Sequence, residues 1–198
     1  MPKISEERRR ERRNQYLDAA RRCISRSGVH GTRMEDVTSE AGLSSGSMYL
    51  YFATKDELVR AAIDSSLREL EALVAATVKQ VAPAGPARFL EALLSRLEQF
   101  GGSVDEVDLF RLGVQGWAYS QTDAEAARLI SESHSRLHGS FAAAAEVWTD
   151  NPAGISPIAD ALLTQLTGFA LRRGVIGSGS AQDQFASTTA LALALTNR

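Results

Sequence analysis

Residues 28–60 read GVHGTRMEDVTSEAGLSSGSMYLYFATKDELVR. Two short helix patterns joined by a turn stand in this stretch. Thr32 and Glu35 have the spacing of a capping box, in which a hydroxyl and a carboxylate satisfy the free N–H groups of a helix start. Val37 and Ala41 continue the apolar face of that helix. Gly42 supplies the positive φ that a residue just past a helix end needs. Leu43 then packs, and Ser44 is a suitable N-cap for a second helix, Ser45–Tyr51. Thr54 and Glu57 form another capping box and open a long helix. A helix, a glycine turn and a second helix make the helix-turn-helix plan, whose second helix enters the DNA major groove.

The run Gly42-Leu-Ser-Ser-Gly-Ser-Met-Tyr-Leu-Tyr-Phe52, followed by Thr54-Lys-Asp-Glu-Leu58, resembles the signature of the TetR family of bacterial transcriptional regulators. Leu43 stands where the family usually has Val. The resemblance covers about residues 10–60; beyond them it extends only to length and helical character. It implies an all-α protein of about nine helices. A three-helix helix-turn-helix DNA-binding domain is expected over residues 1–54. A helical effector-binding and dimerisation domain is expected over residues 55–198.

Composition agrees with that class. The chain has 198 residues, 44% of them hydrophobic and only five of them proline, enough for a substantial helical core. No apolar run reaches the roughly 20 residues of a membrane span. The basic N-terminus lacks the apolar segment of a secretory signal, so a cytoplasmic location is expected. Cys23, the single cysteine, falls on a helical stripe with Ala19, Ala20 and Ile24 and reads as a small core residue.

The net charge of −2 conceals an asymmetry. Residues 1–26 hold nine Lys/Arg against four Asp/Glu, and residues 61–198 hold ten against fifteen. A basic head on an acidic body suits a protein that grips phosphates with one end. Arg8–Arg13 read as an arm toward phosphates or the minor groove.

The rest of the chain reads as helices. The first spans about Glu6–Ser27, broken by Gly28 and Gly31. The fourth spans Lys55 to about Val81, and the fifth about Ala87–Phe100. Ser103 with Glu106 caps a sixth, about Val104–Tyr119. Thr122 with Glu125 caps a seventh, about Asp123–Trp148. Ser156-Pro157 opens an eighth, reaching about Val175, and the ninth covers about Ala181–Leu195. The same capping spacing at Ser66–Glu69 falls mid-helix and is spurious.

Small residues at the start of the second short helix, Ser45, Gly46 and Ser47, allow close approach to DNA. The Ser45 and Ser47 hydroxyls can donate to phosphate or base edges. The family resemblance places Ser47, Tyr49, Tyr51 and Lys55 on phosphate-contacting positions, and Ser45 and Leu50 on base-facing ones. Lys55 also starts a helix, whose free N–H groups and positive dipole end attract an anion. Leu50 has no hydrogen-bonding group, so a thymine methyl or a sugar is its only partner. Arg33 reaches phosphate or guanine. Thr32 and Ser44 complete the candidate DNA-binding set.

Three other patterns are weaker. Gly42-Leu-Ser-Ser-Gly46 matches a hydrolase nucleophile elbow, but that motif needs a preceding strand. His134 and His138 share a helix face as metal ligands can, without a third partner. No glycine-rich phosphate loop is present. No cofactor, no metal and no catalytic set are therefore expected.

The resemblance also implies an effector cavity and a dimer built from the last two helices. Candidate cavity residues are Phe89, Leu93, Leu97, Phe110, Gln115, Trp117, His134, Phe141, Gln165 and Phe169. Their chemistry points to an uncharged or weakly cationic organic effector. Candidate interface residues are Ile158, Leu162, Leu166, Phe185, Leu191 and Leu195, the last three around the nearly uncharged FASTTALALALT run. A two-fold dimer doubles the DNA contacts and matches a palindromic operator. The reading is a ligand-responsive regulator, a repressor released from its operator by a small organic molecule. The alternative is a small-molecule sensing or sequestering protein without specific DNA binding.

Overall fold

The computed structural model describes residues 5–101 and 107–196. Among the described residues it holds nine α-helices: α1 (Glu6–Gly31), α2 (Met34–Ala41), α3 (Ser45–Met48), α4 (Lys55–Val81), α5 (Pro86–Gly101), α6 (Leu109–Ser120), α7 (Ala124–Glu146), α8 (Pro152–Leu171) and α9 (Ala181–Thr196). The expected all-helical class is the one observed.

Two apolar cores organise these helices. The first gathers Tyr16, Leu17, Ala20 and Ile24 of α1, Val37 of α2, Met48 of α3 and Phe52, closed by Leu58, Val59, Ala62 and Ile63 of α4. The second gathers Val74 of α4 with Phe89, Leu93 and Leu94 of α5, Phe141 of α7 and Leu162, Leu166 and Phe169 of α8. Aromatic edges order it: Phe89 meets Phe141 at 6.3 Å and Phe110 meets Phe169 at 5.6 Å, both edge-to-face. Helix α4 therefore belongs to both cores.

Several helix starts differ from their sequence reading. Thr32 does not open α2. Gly28 takes φ 73, yet helical hydrogen bonding runs on to Gly31, and the Thr32 hydroxyl donates to the Gly28 carbonyl at 2.8 Å. The α2 start is satisfied one residue later, where the Arg33 N–H donates to Asp36 at 2.9 Å. Likewise Thr122 closes α6 by donating to the Tyr119 carbonyl, while Asp123 caps α7 by accepting from the Ala126 N–H at 2.8 Å. Helix α8 begins before Ser156: Asn151 caps it and Pro152 takes its first turn, leaving Pro157 inside the helix. The Ser103–Glu106 box and Val104 lie outside the described residues; the described part of α6 is capped by Asp108. The Thr54–Glu57 box does form, with the Glu57 N–H donating to the Thr54 hydroxyl at 3.1 Å and the Ala53 N–H to the Glu57 carboxylate at 2.7 Å.

After Leu171 the chain widens into a π-helical turn, Arg172–Ile176, closed by Gly177 at φ 72. Both ends of the Phe110 neighbourhood depend on absent side chains. A Cβ on Gly101 would overlap the Phe110 ring, and one on Gly174 would overlap the Phe110 carbonyl. Gly101→Ala should therefore force α5 and α6 apart and destabilise the fold by about 1–3 kcal/mol, the usual range for overpacking. Thermal and denaturant unfolding of the variant measure this directly.

Candidate nucleic-acid interface and ligand cavity

Helix α3 is held from beneath. The Tyr16 ring is wholly buried, and its hydroxyl donates to the Ser44 carbonyl at 2.9 Å while also bonding the Ser47 hydroxyl. Met48 and Phe52 anchor the same turn inward, each fully buried. The opposite side faces outward: Tyr49 is 56% exposed and Leu50 is 73% exposed, although both are large apolar residues. Ser44, Ser45 and Gly46 are exposed beside them, and Ser47 and Tyr51 are half-buried. Arg33 is exposed at the start of α2, and the half-buried Lys55 reaches the His30 carbonyl at 3.5 Å. Thr32 is buried with its hydroxyl turned inward, so it offers no donor to this face.

Ion pairs fix the helices behind α3. Glu40 of α2 accepts from Arg22 at 2.7 Å and from Arg26 at 2.6 Å, both on α1. Those guanidinium groups, Arg26 first, hold its carboxyl below the usual carboxylate range. Arg21 of α1 grips Glu69 of α4 with a bidentate pair at 2.6 and 2.7 Å. Arg13 lies over the Phe52 ring at 5.0 Å. Cys23 is buried within this packing, and burial pushes its thiol pKa up, away from reactivity.

A second feature lies in the body. A cavity of about 90 Å³ is enclosed by α4, α5, α6, α7 and α8. Its wall includes Ile63, Ser66, Leu67 and Leu70 of α4, Leu97, Phe100 and Gly101 of α5, Leu109, Phe110, Leu112, Gly113, Gly116 and Trp117 of α6, Ile130 of α7, and Leu166 and Ala170 of α8.

The candidate cavity residues divide. Leu97, Phe110 and Trp117 line this space. Phe89, Leu93, Phe141 and Phe169 are fully or almost fully buried in the second core instead. Gln115 points to the head, where its side-chain oxygen accepts from the Val29 N–H at 3.3 Å. His134 sits on an exposed cleft with Asp160, Leu163 and Thr164. Gln165 accepts from Gln184 at 2.6 Å and from Thr188 at 3.0 Å, joining α8 to α9. Ile63, Ser66 and Leu67 also line it, outside the sequence-based candidate set, although with Leu70 their i, i+3, i+4, i+7 spacing marks one face of α4.

Two polar joints tie α6 to its neighbours, one to α1 and one to the first turn of α4. One is Gln115 at the Gly28 kink. At the other, the Tyr119 hydroxyl donates to Asp56 at 2.9 Å and to Asp123 at 3.2 Å, and Arg60 meets Asp123 at 3.1 Å. The Ala126 N–H, with Tyr119 and Arg60, holds the Asp123 carboxyl below its usual range.

Among the candidate interface residues, Leu191 is 60% and Leu195 is 68% exposed, with Leu193 beside them at 57%. Ile158 and Phe185 are half-buried. Leu162 and Leu166 face inward: both are buried in the second core, and Leu166 lines the cavity. The two histidines do not gather ligands: His138 meets Asp160 at 3.3 Å, and no cluster of three metal-binding side chains occurs among the described residues. The Gly42–Gly46 run lies in the turn between α2 and α3, not after a strand.

Because the folded Glu40 carboxyl is depressed, its contribution to stability is present above the ordinary glutamate pKa of about 4.3 and is lost as pH falls through the lower folded value. Glu40→Gln should therefore be less stable than the wild type at neutral pH, with the gap narrowing below about pH 4. Denaturant titrations at neutral and acidic pH test the sign.

The chain matches the family model described as "Bacterial regulatory proteins, tetR family" over residues 17–62, which span α1, α2, α3 and the first turns of α4. The transcriptional regulator BetI of Burkholderia ambifaria is 32% identical over 144 residues, covering 72% of this chain and 71% of that one. The regulator YfiR of Bacillus subtilis is 38% identical over 68 residues, covering 34% of this chain and 33% of that one. In fold, the chain is similar to a TetR-family regulator from Mesorhizobium loti, with TM-score 0.74 and 19% identity over 94% of this chain and 98% of that one. It is also similar to a regulator from Saccharomonospora viridis solved with choline, with TM-score 0.71 and 20% identity over 92% of this chain and 95% of that one. A helix-turn-helix head with an outward-facing third helix, on a helical body with its own cavity, is thus joined to sequence similarity across most of the chain: this protein belongs to the TetR family of helix-turn-helix transcriptional regulators.

Proposed function

We propose that the protein is a cytoplasmic homodimeric repressor that binds a palindromic operator and is released from it by a small organic molecule. The observation that carries the DNA-binding part is the two-sidedness of α3 and the turn after it; the helix is shorter than the expected Ser45–Tyr51, ending at Met48. Met48 and Phe52 are fully buried while Tyr49 and Leu50 of the turn are exposed, so this segment is anchored on one side and presents the other. Ser45, Tyr49, Tyr51 and Lys55 supply phosphate and base-edge contacts, Leu50 meets a thymine methyl, and Ser47 joins them by turning its hydroxyl from the Ser44 carbonyl, to which it donates at 2.9 Å. The same outward set weighs against a sensing protein without specific DNA binding, which has no use for it.

The exposed leucines of α9 support a dimer. Leu191, Leu193 and Leu195 would leave a bare apolar strip on a monomer, and a second copy of α8 and α9 covers it. The cavity supports an effector, and the Saccharomonospora viridis regulator of this fold was solved in complex with a small organic molecule, choline.

The switch runs through α4 and α6. Both helices line the cavity; α6 reaches α1 through Val29–Gln115 and is tied to the first turn of α4 through Asp56–Tyr119. A ligand that binds one arrangement of α6 better than another shifts these joints and with them the separation of the two recognition helices.

Fluorescence anisotropy with a palindromic fragment from upstream of the protein's own gene tests the core of this reading. Lys55→Ala should weaken binding to all sequences and lower the salt slope by about one. Full affinity with an unchanged slope would remove Lys55 from the phosphate contacts.

Leu191→Glu should place an unpaired charge in the subunit contact, costing several kcal/mol. Sedimentation should then show dissociation; a dimer of unaltered strength would place the interface elsewhere.

A further inference from the structure

The wall of the α4–α8 cavity restricts what can enter it. Among the described lining residues none carries a charge, and the polar side-chain atoms are Ser66 Oγ and Trp117 Nε1. An ion entering this space would lose its hydration without a described counter-charge to replace it. A quaternary ammonium escapes that cost only inside a cage of aromatic faces. The cavity has three aromatic residues, Phe100, Phe110 and Trp117, but Phe110 is already engaged. Arg173 lies over its ring at 5.8 Å, and Phe169 packs edge-to-face against it at 5.6 Å. The guanidinium would also repel a second cation. Glu98, the nearby carboxylate, is directed to Arg173 at 3.8 Å and to the Ala181 N–H at 3.4 Å.

Ser66 gives the wall one specific polar feature. Its hydroxyl donates to the Ala62 carbonyl at 3.0 Å, so the proton is committed along the helix and the oxygen lone pairs remain as acceptors. A ligand O–H can donate to them. From this wall we infer that the effector is a small, neutral, largely apolar molecule bearing one hydroxyl, a phenol or short alcohol, and that a quaternary ammonium is refused. The inference rests on the cavity being the effector site.

Calorimetric titration of the full-length protein with 4-methylphenol, toluene and choline tests it. Toluene has the shape of 4-methylphenol without its hydroxyl, so the ratio of their affinities isolates the polar contact. Both should bind saturably, and choline should give no saturable heat at millimolar concentration. Ser66→Ala keeps a good helix former at that position. It should lower the 4-methylphenol to toluene affinity ratio about five- to tenfold, the equivalent of one net hydrogen bond. An unchanged ratio overturns the role of Ser66. Saturable choline binding overturns the ligand class but leaves the effector site standing. Failure of all three probes to bind overturns the effector-site reading together with this one.

Discussion

One helix is packed into two cores at once, and the rest of the structure depends on it. Leu58, Val59, Ala62 and Ile63 of α4 close the core under the recognition helix, and Val74 of the same helix enters the core of the body. A continuous helix of 27 residues has no joint where these two ends could move independently. Any change in its tilt is shared. Between the ends stand Ile63, Ser66, Leu67 and Leu70, which form one wall of the cavity. On the proposed reading, the effector cavity borders the middle of α4 and the phosphate contact Lys55 stands at its first residue.

Helix α4 needs a fixed reference, and α1 supplies it. Bidentate Arg21–Glu69 and the Glu40 pairs with Arg22 and Arg26 bind α1 to α4 and α2. Tyr16 then locks α3 to α1 through the Ser44 carbonyl. These contacts are charge-assisted or fully buried, which makes them stiffer than solvent-exposed pairs. Val107, Leu112, Tyr119 and Ala126 enter the core under the recognition helix from the body, beside the Val29–Gln115 hydrogen bond and the Tyr119–Asp56–Asp123–Arg60 cluster.

Much of this was legible in the sequence, and what was not has a physical pattern. The helix-turn-helix stretch is read from local signals: Gly42 does adopt φ 63, and the Thr54–Glu57 box does cap α4. Local signals failed where two adjacent residues compete for one cap. Thr32 and Thr122 each have the right spacing, but each hydroxyl instead closes the preceding helix by donating to a carbonyl. The carboxylates of Asp36 and Asp123 took the free N–H groups, as the stronger acceptors. Ser156-Pro157 lost to Asn151-Pro152, the same chemistry five residues earlier. The cavity was harder still. Periodicity shows which face of a helix is apolar, not whether the space beside it is filled. Phe89 and Phe141 look identical to Phe110 in sequence, yet they pack against each other while Phe110 borders the cavity.

The cavity exists because of where side chains are missing. Phe110 can reach its place only because Gly101 and Gly174 let its ring and its carbonyl approach two other backbones. Gly113 and Gly116 then leave the next turn of α6 without bulk on the cavity side. Glycine lowers helix stability by up to about 1 kcal/mol per residue relative to alanine. α6 also carries both polar joints, Gln115 to Val29 of α1 and Tyr119 to Asp56 at the start of α4. A helix that both lines the cavity and touches α1 is the element on which the proposed ligand switch would act, and the unbroken α4 would carry its shift toward Lys55.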